Sequence, residues 1–473
     1  MGRLKILLNK PLTPFFVLAI SLCPLMFLGL DIPHDFGDDF AQYIDQARDV
    51  VENTQVHADL THSESYSPAE RGAGFSLVLI PVYASQQLSN MPYLVVISLL
   101  LVLSSLAFFL YLNQRIAIKQ SPWLCALVAL CFAYNFQVLR LKDEIMPEFL
   151  YLALLFSSLL LYQSESRGKQ LTAFACIGWL TAVKEIGWVF ALALIIHWLM
   201  NRRTSSLSLG LFGMGLLITL FVHFAINFYV FGHISTSHIS WYSRAFEPSE
   251  WMAHIQSNLG YYLMQFPQFF EQEIWGWLIQ PLVWFCVLLL AIGVGTRVKK
   301  PLDLASYYVL LHVFTLLLYE NNQSAIRFLI PVFPFLLIYA MYGAAFLGQR
   351  PPARFAYFPH VVFLVVLLSN FKQSRQALAA KNDPSPYSVE SQALWKDIQR
   401  IVPKDKTIAF QKPWALHLFT KRTASYMNAS DITASIADYI LELKAPDNKV
   451  LPSSKYSKPF RFETSDYRLL ECE

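Results

Sequence analysis

The stretch Met91-Pro-Tyr-Leu-Val-Val-Ile-Ser-Leu-Leu-Leu-Val-Leu-Ser-Ser-Leu-Ala-Phe-Phe-Leu-Tyr-Leu112 decides the fold. It carries no charge over the length, about 20 residues, that a helix needs to cross the hydrocarbon core of a bilayer. Arg115 and Lys119 come directly after it. An apolar run closed by basic residues reads as a membrane span whose C-terminal end faces the cytoplasm. Working outward, comparable runs lie near 11–30, 121–140, 147–163, 170–183, 186–200, 207–231, 274–296, 302–320, 328–347 and 355–372. Together they make about eleven crossings, two of them short for a straight span. The chain of 473 residues is 55% hydrophobic and only 15% charged, with a mean hydropathy of +0.40. Lipid, not water, is the expected solvent for most of it.

Charge placement fixes the expected topology. Arg3, Lys5 and Lys10 precede the first span, and later basic hinges hold Arg167 and Lys169, Arg202 and Arg203, Arg297, Lys299 and Lys300, then Arg350 and Arg354. Excess lysine and arginine in short loops marks the cytoplasmic side. With the N-terminus cytoplasmic, an odd number of spans sends the C-terminal region outside, into the periplasm of an inner-membrane protein. The first span, Leu12–Leu30, lacks a small-residue cleavage site and is expected to be retained. Because the basic residues are spread over loops as topology signals, the net charge of +4 does not imply a nucleic-acid partner. Residues 73–88 are apolar, yet counting them as a crossing would invert everything downstream. An interfacial or re-entrant helix fits better.

Two domains are expected. Residues 1–373 are read as an all-α polytopic membrane domain with outer loops 31–90 and 232–273. Residues 374–473 form a small α/β extracytoplasmic domain. In that tail Ser388–Val402 has helical spacing, Thr407–Phe410 and Tyr439–Leu443 read as strands, and Trp414–Thr420 as a helix. Cys23, Cys125, Cys131, Cys176 and Cys286 sit inside apolar runs, and no metal-binding Cys spacing occurs. Loop 232–273 is rich in Trp241, Tyr242, Trp251, Tyr261 and Tyr262, a composition suited to the membrane interface and to sugar contact alike.

Ionisable groups collect at the outer ends of the spans: Asp35, Asp38 and Asp39; Arg140, Lys142, Asp143, Glu144 and Glu148; Lys184 and Glu185; Glu320 and Arg327. The adjacent pair Asp38-Asp39 stands at the mouth of a hydrophobic segment, where each carboxylate loses hydration and repels the other. Such a pair suits a proton, a metal or a cationic group, although aspartate is also a preferred helix cap. Carboxylates beside cations at a lipid boundary suit one task well: a base activates a hydroxyl while cations hold a lipid phosphate leaving group. No ligand-spaced metal cluster is evident, though Asp38-Asp39 has the hard oxygen donors that a divalent cation takes. Lys184 and Glu185 also read as an ion pair closing a helical hairpin.

At these residues the chain resembles the GT-C glycosyltransferases, which include the protein O-mannosyltransferases and the lipid A aminoarabinose transferase. Asp39-Phe-Ala-Gln-Tyr43 followed by Ala47 is similar to the D-x-x-x-Y…A motif of their first outer loop. Asp143-Glu-Ile-Met-Pro-Glu148 resembles their second acidic motif, Leu180-Thr-Ala-Val-Lys184-Glu185 their L-T-K-x break, and Arg327-Phe-Leu-Ile-Pro-Val-Phe-Pro334 their R-Y-x-x-P-x-x-P segment. The resemblance implies transfer of a sugar from a polyprenyl-phosphate carrier to a glycolipid, polysaccharide or protein acceptor, by single displacement with inversion. It implies Asp39 as catalytic base with Asp38 as neighbour or substitute. Arg327 and Lys184 would hold the donor phosphate, and Asp143, Glu144 and Glu148, with Tyr43 and Glu185, would line the substrate site. Many members carry Asp-Glu where this chain has Asp38-Asp39, which leaves the choice of aspartate open. The rival class is a secondary transporter or lipid-linked sugar flippase, which would place its charges near the bilayer midplane and show repeated halves. Neither feature is evident in the sequence.

Overall fold

The computed structural model describes residues 12–28, 30, 38–53, 72–86, 88–116, 121–142, 144–201, 207–232, 251–265, 269, 276–298, 302–319, 325–348, 357–379, 386–426, 437–443, 462–463 and 467–471. Two compact units emerge, and neither is continuous in sequence. The first joins Met1–Gly29, Leu94–Asn227 and Ile239–Lys381. The second joins Leu30–Tyr93, Phe228–His238 and Asn382–Glu473. The expected outer loop 31–90 therefore belongs with the polar C-terminal region and not with the helices that flank it in sequence.

The first unit is helical. Leu12–Leu22 runs into a 3-10 turn, Cys23–Met26. Asn90–Ile116 carries the 91–112 stretch, and Leu209–Phe231 is the other unbroken helix, among the described residues, long and apolar enough to cross a membrane. Its outward face shows Leu209, Leu217 and Phe221 at 72, 67 and 73% exposure. Large apolar side chains exposed along a helix this long and apolar suit a lipid surround. A third candidate span, over 121–140, is broken: Pro122–Ala133 and Phe136–Lys142 meet at a 57° bend. Asn135 makes the break. Its side-chain oxygen accepts from the Gln137 amide at 3.0 Å, as an N-cap does, and its amide donates to the Phe269 carbonyl at 2.8 Å. Shorter apolar helices fill the remaining predicted spans: Glu148–Tyr162, Arg167–Val183, Gly187–Asn201, Leu304–Leu318, Phe333–Gly348 and Phe358–Ala379, with the longer Gly276–Val298 among them.

Helix pairing in this unit is close where side chains are absent. Gly276–Val298 packs along Phe333–Gly348. A Cβ on Gly293 would lie 1.8 Å from the Tyr339 carbonyl oxygen, and one on Gly343 would lie 1.9 Å from that of Leu289. Reciprocal glycines bring the two backbones together, the small-residue packing used by helices in lipid. Glu148–Tyr162 packs against Arg167–Val183, and Gly187–Asn201 against Leu304–Leu318.

In the second unit, helix Asp38–Glu52 packs against Ala73–Gln86 and against the short helix Pro413–Thr420. Residues 73–86 are thus a packed helix, with Phe75, Ser76 and Leu79 buried. Among the described residues the polar tail forms a five-stranded mixed sheet of β1 (Thr407–Phe410), β2 (Thr423–Tyr426), β3 (Tyr439–Leu443), β4 (Phe462–Glu463) and β5 (Tyr467–Glu471), in the order β2-β1-β3-β5-β4. Strand β1 runs parallel to β2 and β3. Strand β5 is antiparallel to β3 and to β4. Helix Val389–Ile401 opens on Ser388, whose hydroxyl accepts from the Ser391 amide at 3.1 Å. Strands β1 and β3 and both helices were expected; β2, β4 and β5 were not. They run for two to five residues.

Candidate functional site

Helix Glu148–Tyr162 begins at Glu148 itself, directly after Pro147 at the cap position. An acidic residue in a first turn faces the partial positive charge of the unpaired amides. Helix Arg167–Val183 ends at Lys184, whose backbone turns extended (φ −150°, ψ 140°) while its amide still bonds the Leu180 carbonyl. The next helix starts only three residues later, at Gly187, where a Cβ would lie 2.8 Å from the Leu180 carbonyl oxygen. Glycine is required there because the chain folds back onto the turn it has just left. Arg327 comes from a third place, the five-residue helix Ala325–Leu329 that precedes Phe333–Gly348.

These three stretches bring their charges to one oxygen. Lys184 Nζ donates to Glu148 Oε1 at 2.8 Å, and Arg327 Nε donates to the same oxygen at 2.5 Å. The side chains of Glu148, Lys184 and Arg327 are 1, 11 and 16% exposed. Glu148 Oε2 is buried without a hydrogen-bond partner. Lys184 Nζ also stands 5.7 Å over the Phe328 ring. Two cations held on one oxygen of a buried carboxylate make a group that a phosphate could join in a site of low polarity. Lys184 makes its close ion pair with Glu148 and not with its sequence neighbour Glu185 as anticipated, although the Glu185 charge still acts on it.

The remaining expected site residues are spread over several elements. Asp38 and Asp39 open helix Asp38–Glu52; their side chains, like the whole of Asp143, Glu320, His233, His238, Trp241 and Tyr242, lie outside the described residues. Glu144 and Glu185 are half-buried in the turns before Glu148 and after Lys184. Lys142 is fully buried and donates from Nζ to the Leu28 carbonyl, an anchoring role for the end of the first helix. Tyr43 is 3% exposed and meets Phe75 edge-on at 5.0 Å, so it packs helix Asp38–Glu52 onto Ala73–Gln86. Among the described residues no group of three His, Cys, Asp or Glu side chains is placed to hold a metal ion.

Helix Asp38–Glu52 is held on its polar face. Arg48 pairs with Asp45 and stands 3.7 Å from Asp49, and all three are at least 96% buried as residues. Arg48 also donates to the Leu418 carbonyl and to His417 Nε2, each at 3.3 Å. His417 Nδ1 donates to the Arg422 carbonyl at 2.9 Å, which leaves Nε2 as the acceptor for Arg48. At the helix end Glu52 receives Tyr83 and Lys421, both at 2.8 Å. Burial alone would raise the Glu52 carboxyl, but those two hydrogen bonds and the Lys421 charge hold it below its ordinary value. Sequence reasoning missed this face, and it missed Tyr151, Tyr308 and His312 beneath the charged cluster.

No family model matches the chain, and comparison with curated proteins finds no match by sequence. Solved structures do match by fold. ArnT from Cupriavidus metallidurans bound to undecaprenyl phosphate superposes with a TM-score of 0.57 at 12% identity, over 96% of this chain and 97% of that one. Its apo state gives 0.56 at 12% identity, over 98% of each chain. The Archaeoglobus fulgidus oligosaccharyltransferase, in complex with zinc and sulfate, gives 0.57 at 10% identity, over 91% of this chain and 68% of that one. The fold is therefore shared with ArnT and with the archaeal oligosaccharyltransferase. The match to ArnT runs along nearly the whole of both chains, polar C-terminal region included.

Proposed function

We propose that the protein is an integral-membrane glycosyltransferase that takes a sugar from a polyprenyl-phosphate carrier and passes it to a glycolipid, polysaccharide or protein acceptor. The observation that carries this reading is the convergence of Lys184 and Arg327 on one oxygen of buried Glu148, in a fold shared with a protein seen bound to undecaprenyl phosphate. The cations would take the donor phosphate, with Glu148 holding them together until it arrives. Asp39, or Asp38 beside it, would deprotonate the acceptor hydroxyl, which attacks the anomeric carbon as the C–O bond to phosphate breaks. The electron pair of that bond leaves on polyprenyl phosphate and is stabilised by Lys184 and Arg327. The anomeric configuration inverts. Glu144, Glu185 and Asp143 would contact sugar or acceptor, and the reaction would take place on the periplasmic face of the inner membrane, where the topology signals put the loops concerned.

The test is release of polyprenyl phosphate from polyprenyl-phosphate sugars by purified wild type and Asp39→Asn, supplied with membrane-extract acceptors. Loss of turnover by at least about a hundredfold in a folded variant is expected of a missing general base. Turnover that survives moves the base to Asp38 or to the second acidic motif, Asp143 to Glu148. Movement of intact lipid-linked sugar between leaflets of proteoliposomes, without cleavage, would establish a flippase instead.

A further inference from the structure

Beneath the charged cluster runs a thread of buried polar groups. His312, in helix Leu304–Leu318, is 1% exposed. Its Nε2 lies 3.1 Å from the Phe328 carbonyl oxygen. A carbonyl only accepts, so Nε2 carries the hydrogen and the ring is the Nε2–H tautomer. The other nitrogen, Nδ1, is buried with no hydrogen-bond partner; a second proton there would have nowhere to donate. The imidazole meets the Tyr308 ring edge-on at 5.3 Å. Tyr308 shares a hydrogen bond of 3.1 Å with Tyr151, and the Tyr151 hydroxyl reaches the Ile186 carbonyl at 3.5 Å. Tyr151 is one turn along the helix from Glu148, Ile186 is in the break beside Lys184, and Phe328 is next to Arg327. The thread therefore touches each of the three stretches that bring charge to the cluster.

The short helix Ala325–Leu329 needs such support. Five residues cannot sustain a helix alone, and the carbonyls of a last turn lack partners within it. His312 supplies the donor for one of them, at the residue next to Arg327 and under Lys184. We infer that His312 is a positioning residue for the phosphate-holding pair: its Nε2–H fixes the Phe328 carbonyl, and through it the direction from which Arg327 meets Glu148 and an incoming lipid phosphate. The inference rests on the reading of Lys184 and Arg327 as the phosphate holders. The ligand chemistry is a phosphate monoester on a long isoprenoid chain.

The experiment is binding of undecaprenyl phosphate to the full-length protein in nanodiscs, which requires no turnover. His312→Leu is expected to bind about tenfold more weakly, the size of one buried hydrogen bond. His312→Gln, which restores a donor, is expected to recover most of that loss. Tyr308→Phe removes only a hydroxyl and should cost about two- to threefold, and it serves as the second variant if His312→Leu does not fold. Nitrogen-15 histidine spectra should show a non-protonated Nδ1 at position 312. Wild-type affinity in both His312→Leu and Tyr308→Phe overturns the inference, as does equal loss in His312→Leu and His312→Gln, which would mark a role of ring shape alone. If wild type itself does not bind undecaprenyl phosphate, the phosphate-site reading fails first and the inference falls with it, a result distinct from the other two.

Discussion

Glu148 is the residue on which the site turns. A carboxylate buried to this degree survives only because two cations share one of its oxygens, and removing one member of such a group leaves charge without compensation, at a cost of about 3–5 kcal/mol. Glu148→Gln is therefore expected to lower the melting temperature in detergent, with Lys184 and Arg327 repelling each other. Added undecaprenyl phosphate should raise the melting temperature of Glu148→Gln by more than that of wild type, because the phosphate replaces the missing anion. Equal rises in the two proteins would mean that the phosphate goes elsewhere. A second prediction concerns pH. A hydrogen bond from Lys406 and another from the Thr407 amide hold Asp438 below the ordinary carboxylate range. Its contribution is present above the unfolded value, about 3.9, and is lost as pH falls through the lower folded value. Protection of the Thr407 amide from hydrogen exchange should persist at pH 5 and be lost only as pH falls below the ordinary carboxylate range, and in Asp438→Asn it should be weak throughout. The charged residues were legible because charge inside an apolar sequence is conspicuous. Tyr151, Tyr308 and His312 were not: aromatic rings in apolar helices read as packing, and their partners lie from 16 to 157 residues away. Adjacency misled the pairing of Lys184, whose close partner is Glu148.

At the scale of elements, hydropathy located nearly every helix but not how it is interrupted. The bend at Asn135 depends on a side chain that both caps a helix and reaches the Phe269 carbonyl. A hydropathy run weighs one asparagine against many leucines and reads straight through. Asn135→Ala removes both bonds, and a loss of about 1–2 kcal/mol is expected, measurable as a lower unfolding midpoint. The glycines of the tightest helix pair carry a similar message. With the Leu289 carbonyl 1.9 Å from where a Gly343 Cβ would sit, Gly343→Val cannot be absorbed by rotating a side chain. The helices must separate, at a cost of about 1–3 kcal/mol or more, and cross-linking between cysteines placed along Gly276–Val298 and Phe333–Gly348 should slow. Strands β2 and β5 stayed hidden for a different reason: they pair with β1 and β3, more than 15 residues away, which local pattern does not encode.

For the whole molecule, the organisation into two discontinuous units was the least legible feature. The sequence changes composition near residue 374, while the fold joins Leu30–Tyr93 to Asn382–Glu473. The polar face of helix Asp38–Glu52 already held the clue. Asp45, Arg48 and Asp49 on one face of a helix read as a solvated surface until a partner appears. Arg48→Met leaves Asp45 and Asp49 buried without their cation and is expected to destabilise the second unit by about 3–5 kcal/mol. Hydrogen exchange should then rise together in 38–52 and 413–420, while 148–162 keeps its protection. A rise confined to 38–52 would show that Arg48 does not tie the two segments.

That tie spans 370 residues, from Arg48 to Leu418. At about 5–20 residues per second of synthesis, a ribosome needs roughly 20–70 s to deliver the second partner after the first. For that interval the His417 and Leu418 groups that Arg48 will meet do not yet exist, and the helix headed by Asp38 and Asp39 is an incomplete structure in view of the cell's proteases and chaperones. A nonsense codon or frameshift between codons 382 and 413 would therefore act at the first loop, leaving helix Asp38–Glu52 permanently unfinished.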